Sequence, residues 1–150
     1  MAIAASTHPH FPMRRTAGAL EDSGKLLLRV TLGLLMLLHG IGQVMGGIDP
    51  ILGMLATAGL PAALGYGVYV GEILAPLLLI AGAWTRAAAL VIAVNMVVAV
   101  ALVHIGDLAQ LTANGGWALE LQGFYLATAL VIALLGAGRY SAGGIDGRWN

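Results

Sequence analysis

The sequence predicts an all-α membrane protein: a four-transmembrane-helix bundle with a short interfacial or re-entrant helix between spans one and two. Three observations predict it. Only 9% of the 150 residues are charged and 59% are hydrophobic, whereas a water-soluble domain carries about 25% charged residues. Four apolar segments can be drawn, Leu26–Met45, Ala62–Ala83, Ala87–Ile105 and Ala118–Ala137, each near the roughly 20 residues that cross a hydrocarbon layer. Every lysine and arginine falls on one side of those segments. The segments are continuously apolar rather than alternating, which selects helices over strands where lipid offers no water to unpaired backbone groups.

Residues 1–24 are polar and read as a flexible cytoplasmic tail. Its His8-x-His10 pair has a metal-ligand spacing but reads as part of a mobile tail. Arg14-Arg15 has the look of a twin-arginine export signal. However, Glu21, Asp22 and Lys25 precede the apolar run and no small-x-small cleavage site follows it, so these arginines read as orientation signals. Residues 25–138 then form the four-helix domain, and 139–150 a cytoplasmic C-terminal tail. Spans two and three are joined by only Trp84-Thr85-Arg86, which demands a tight antiparallel hairpin.

Between spans one and two, Asp49 is placed as a helix N-cap, with Pro50 at the first helical position and Gly59 and Pro61 ending the helix. Ile51, Leu52, Leu55 and Ala58 give it an apolar stripe, suited to lying over the outer mouth of the bundle. The second outer loop, 106–117, is polar, with Trp117 at the interface as Trp84 is on the other side. The spacings Gly42-x-x-x-Gly46 and Gly67-x-x-x-Gly71 allow close helix approach. Arg14, Arg15, Lys25, Arg29, Arg86, Arg139 and Arg148 share one side; by the positive-inside rule both termini are cytoplasmic. Formal net charge is zero and cysteine is absent, so nothing recruits nucleic acid, and disulfide or thiolate chemistry is excluded.

Ionisable groups within spans are costly and therefore candidate functional residues. Here they are Arg29, His39, Glu72, His104 and Glu120, with Asn95 and Gln122 as neutral companions. At about 1.5 Å per residue from the cytoplasmic ends, Arg29 lies roughly 5 Å in, Asn95 about 12, Glu72 about 16, His39 about 20, and His104 and Glu120 about 25. Two matched pairs follow, His39 with Glu72 and His104 with Glu120. A carboxylate beside an imidazole can move a proton, hold a quinone oxygen or ligate a metal. Glu72 is the most diagnostic, because Pro76 four residues on cannot donate to its carbonyl and Gly71 beside it permits close approach. Arg29 either snorkels to the surface or pairs inward with Glu72. Asn95 reads as an interhelical hydrogen-bond bridge. Haem ligation by His39 and His104 is disfavoured by their depth offset.

Leu28-Arg29-Val30 leading to Leu38-His39-Gly40, then Gly71-Glu72-Ile73-Leu74, Thr85-Arg86-Ala87-Ala88 and Gly136-Ala137-Gly138-Arg139-Tyr140-Ser141, taken in succession, strongly resemble the DoxX family over roughly residues 25–146. The resemblance implies a four-helix protein of the bacterial cytoplasmic (inner) membrane. The family is named after a protein linked to thiosulfate:quinone oxidoreductase, and its members are often described as oxidoreductase or quinol-oxidase-like subunits. It also places Arg29, His39, Glu72 and Glu120 at recurring intramembrane polar positions. One departure is Gln43, where the family often has a lysine, so the resemblance carries no cationic contact to that position.

The leading expectation is a subunit of a membrane redox system, without a redox centre of its own, that binds a quinone or similar lipid-soluble molecule between its helices. His39 and Glu72 would act on the head group and its protons, with Arg29, Asn95, His104 and Glu120 completing the site. No haem or metal is expected. Other membrane or peripheral redox subunits, or further copies of the chain, would be partners alongside the lipid bilayer. Two other classes use the same residues: a small-solute, metal or proton transporter, and a structural membrane anchor that recruits soluble enzymes.

Overall fold

In a computed structural model the described residues are 13–150, with side chains described from residue 18 onward; His8 and His10 lie outside them. Helix α1 spans Met13–Gly46. It begins well ahead of the apolar run at Leu26, so the expected tail boundary at residue 24 falls inside a helix. Its first turns contain the Ala-Leu-Glu-Asp stretch of good helix formers, and Lys25 pairs with Glu21 four residues earlier at 2.6 Å, which extends the helix into polar surroundings.

Helix α2 is short, Asp49–Thr57, and lies between the first two long helices. Asp49 is its first residue rather than its cap, and no side chain caps it; Ile48 holds the cap position. Gly59 at φ +69° ends it as expected. Leu55 is buried, and the stripe of Ile51, Leu52 and Leu55 closes on Gly65, where an added Cβ would stand 2.9 Å from Leu52.

Helix α3 is composite over Ala62–Ala81. It opens as a 3-10 turn at Ala62–Tyr66, passes through Gly67–Tyr69, widens to a π turn at Val70–Leu74 and resumes as α-helix at Ala75–Ala81. The irregularity expected from Pro76 is thus present, and the wide turn is the one that carries Glu72. Gly82 at φ +71° and Trp84 at φ +49° turn the chain into α4, Thr85–Val103. A 3-10 turn at Ile105–Asp107 and an irregular loop lead to α5, Glu120–Leu135.

Helices α4 and α5 make the most extensive contact in the bundle, and α1 packs against both α3 and α5. The core joins Leu32 and Met36 of α1, Ala75 and Leu79 of α3, Ala88, Ala89, Ile92 and Met96 of α4, and Ala129 and Ile132 of α5. Its alanines let the helix backbones come close. The outer surface is the reverse of a soluble protein's. Leu27, Leu38, Val94, Leu121, Phe124 and Leu134 all point outward, a continuous apolar exterior that matches lipid rather than water.

Three helices are long and apolar enough to cross a bilayer: Gly18–Gly46, Ala62–Ala81 and Thr85–Val103. The fourth expected span, α5, is a 16-residue apolar helix, about 24 Å at 1.5 Å per residue, and so falls short of that length by itself.

Of the four glycines in the expected spacings Gly71 alone makes a close approach, and Gly33 and Gly40 do so as well. Gly33 and Gly40, seven residues apart on α1, lie directly on α3: a Cβ on Gly33 would meet Ile80 at 2.6 Å, and one on Gly40 would run into the carbonyl of Glu72. Gly71 plays the same part toward Asn95 of α4. Gly42, Gly46 and Gly67 face open space among the described residues.

Candidate functional site

Glu72 is the one acidic side chain buried among the described residues, 7% exposed. The bare Cα of Gly40 lets α1 close over its backbone, and the bare Cα of Gly71 lets Asn95 reach it from α4. Asn95 Nδ2 donates to Glu72 Oε1 at 3.2 Å. The other carboxyl oxygen, Oε2, is buried and has no hydrogen-bond partner among the described residues. A buried polar atom without a hydrogen bond costs about 1–3 kcal/mol; this oxygen shares that state with Arg29 Nε, and is the one of the two that can accept a hydrogen bond. The expected interhelical bridge at Asn95 is therefore present, with Glu72 as its acceptor.

His39 does not bond to Glu72. Its ring contacts Tyr125 edge-on, with centroids 6.2 Å apart and planes at 89°. One α-helical residue turns the chain by about 100°. Gly40 faces α3, so its neighbour His39 is turned aside toward α5 and stays exposed at the bundle surface. The expected His39–Glu72 pair is corrected to a Glu72–Asn95 hydrogen bond with His39 nearby.

The second expected pair is also absent. His104 Nδ1 lies 3.0 Å from Asp107 Oδ2, three residues on, and its Nε2 is 3.4 Å from Gln122 Nε2. Glu120 turns back on its own helix start, where Oε1 accepts from the backbone N–H of Trp117 at 3.0 Å. Both groups find local partners instead, His104 the side chains of Asp107 and Gln122 and Glu120 a backbone N–H.

Arg29 neither snorkels nor pairs with Glu72. It is 1% exposed, and its Nη1 donates to the carbonyls of Leu79, at 2.9 Å, and Ile80. Its Nη2 donates to the carbonyl of Tyr140. The last carbonyls of a helix have no partners within it and carry the negative end of its dipole, so a guanidinium at the end of α3 is well placed. Arg86 repeats the arrangement on α5: Nη1 donates to Ala133 and Leu134 at 2.9 and 3.1 Å, and Nε to the carbonyl of Asn150 at 3.0 Å.

Residues 139–150, expected as a tail, form a strap across this basic end. The N–H groups of Ala142 and Gly143 donate to Ala81 and Gly82 at 3.0 and 2.9 Å. The Asn150 amide oxygen accepts from Thr85 Oγ1 at 2.9 Å and from its N–H at 3.3 Å, while Nδ2 donates to Ser141 Oγ and the Gly144 carbonyl. Arg139 N–H reaches Asp22 Oδ1 at 3.1 Å. Sequence reading did not single out Thr85, Ser141 or Asn150. The available signal was the run of small and polar residues after Gly136, which also describes a disordered tail.

Among the described residues no three His, Asp or Glu side chains converge. A 660 Å³ groove runs along the lipid-facing side of α5, lined by Leu28, Trp117, Glu120, Gly123, Phe124 and Thr128 among others; Glu72 does not line it. A family model, DoxX, matches residues 24–105, which takes in Arg29, His39, Glu72, Asn95 and His104 but not Glu120. No curated protein and no solved structure matches the chain.

Proposed function

The chain belongs to the DoxX family, and from that premise we propose that it is a subunit of a membrane redox system that binds a quinone or similar lipid-soluble, hydrogen-bonding molecule beside Glu72. The observation that carries this reading is the buried, unpartnered Glu72 Oε2, held in a π-helical turn and fixed on its other oxygen by Asn95. Protonated, that carboxyl donates to a carbonyl oxygen; ionised, it accepts from a hydroxyl. It can therefore exchange one proton with a ligand that changes between those two forms. His39, exposed at the surface of the bundle, marks the side of entry. Electrons come from a partner protein in this reading, since the chain has no cysteine for dithiol chemistry.

The same proposal sets the membrane topology. We take α5 as the fourth pass: it packs along α4, and the buried Gly136–Gly138 segment continues it toward the basic end. Both termini then face the cytoplasm of a bacterial inner membrane, by the basic-residue asymmetry.

The test is gentle purification followed by mass analysis of bound quinones. Quinone should accompany the wild type and be lost in Glu72→Gln and Asn95→Ala, with the unfolding midpoint of Glu72→Gln unchanged. A wild type that carries none, alongside a fully active Glu72→Gln strain, overturns the reading. The broken helix α3 favours one second reading, a proton or solute path through the π turn. Proton flux in liposomes that stops in Glu72→Gln without any quinone bound would replace the first reading with that one. If both substitutions only lower thermal stability, the anchor class is left.

A further inference from the structure

At the basic end, a cavity of about 320 Å³ opens between the α3–α4 turn and the strap, with Trp84, Gly143, Gly147, Arg148, Trp149 and Asn150 on its wall. We infer that it binds the headgroup of an anionic phospholipid. This site is separate from Glu72 and does not depend on the redox reading.

Charge supplies the first argument. The basic residues of this end are mostly committed. Lys25 is paired with Glu21, and Arg29 and Arg86 are bound to carbonyls. Arg139 does not line the cavity. Arg148 does; it stacks at 6.0 Å over the Trp149 ring and makes no ion pair among the described residues. Asp146, its neighbour in the strap, is not on the wall. An arginine without an ion pair keeps its N–H groups for a phosphate, which it can bind through two parallel hydrogen bonds.

The second argument is backbone strain. Trp84 has φ +49° and is the one non-glycine residue with positive φ among the described residues, while Gly82, Gly136, Gly138 and four further positions use glycine. An L-residue in that conformation costs about 1–2 kcal/mol. The turn keeps a large indole on the rim of the cavity at that cost. Trp84 and Trp149 are both exposed, and paired indoles at the end of a transmembrane bundle lie at headgroup depth.

Size is the third. At about 30 Å³ per water, 320 Å³ holds roughly ten waters. That suits a phosphate with a small polar substituent, and the acyl chains would stay outside against the apolar helices.

Native mass spectrometry of the full chain in detergent, titrated with phosphatidylglycerol or phosphatidylcholine, tests this. One phosphatidylglycerol should be retained in preference. Arg148→Gln should weaken it about tenfold, and Arg139→Gln should leave it unchanged. Trp84→Gly, which relaxes the turn and removes the indole, should also weaken it, and serves if Arg148→Gln folds poorly. Equal retention of phosphatidylcholine, or equal loss in Arg139→Gln and Arg148→Gln, overturns the site. Displacement of the lipid by millimolar inorganic phosphate would show a free-anion site and overturn the lipid assignment.

Discussion

At the basic end Arg29 and Arg86 each place a guanidinium on the last carbonyls of a neighbouring helix, whereas in the middle of the bundle Glu72 keeps one oxygen with no partner. Both regions bury an ionisable group among helices, but they use it differently. The arginines meet acceptors that the helix ends would otherwise leave bare, and the strap adds further ones, with Arg29 Nε alone left without a partner among the described residues. The carboxyl meets a single amide. Such a contrast separates a residue that holds helices together from one available to something outside the chain.

Substitutions can break or sharpen that contrast. The largest effect is expected from Arg29→Leu, which removes three hydrogen bonds from a buried guanidinium to backbone carbonyls and should cost about 3 kcal/mol or more, seen as a lower unfolding midpoint in detergent. Arg29→Lys should recover little of it, because one ammonium cannot span the α3 end and the strap as the fork does. Gly40→Ala comes next. Its methyl would run into the Glu72 carbonyl, and overpacking of this kind costs about 1–3 kcal/mol; ligand retention should fall with it. Thr85→Val removes the hydroxyl bound to Asn150 and should cost about 1 kcal/mol, with faster hydrogen exchange confined to residues 139–150. Glu72→Gln should be the smallest in stability, within about 0.5 kcal/mol, and the largest in ligand loss. If Glu72→Gln destabilises the fold as much as Arg29→Leu does, the contrast disappears and Glu72 is a clamp.

The helices were legible in the sequence because continuous apolar runs and one-sided basic residues are direct consequences of lipid and translocation. Glu72, Asn95 and the irregular α3 were legible for a related reason: a carboxylate, an amide and a proline are conspicuous in an apolar run. The partners were not. Helical depth alone paired His39 with Glu72 and His104 with Glu120, yet depth says nothing about which face a residue occupies. One residue's rotation sends Gly40 to α3 and His39 to Tyr125. Arg29 was misassigned because its acceptors are backbone carbonyls, which every residue has and no side chain announces. The strap was missed for the same reason, since its hold on α3 is largely main chain to main chain.

The bonds of Arg29 also impose an order in time. Its acceptors lie 50, 51 and 111 residues further along the chain. During synthesis the first helix therefore enters the bilayer with a bare guanidinium, a costly state in hydrocarbon, and waits for the second helix and then the strap to arrive. Assembly closes where it started, so the newborn first helix needs temporary shelter, at the headgroups or in the insertion machinery, until residue 140 emerges.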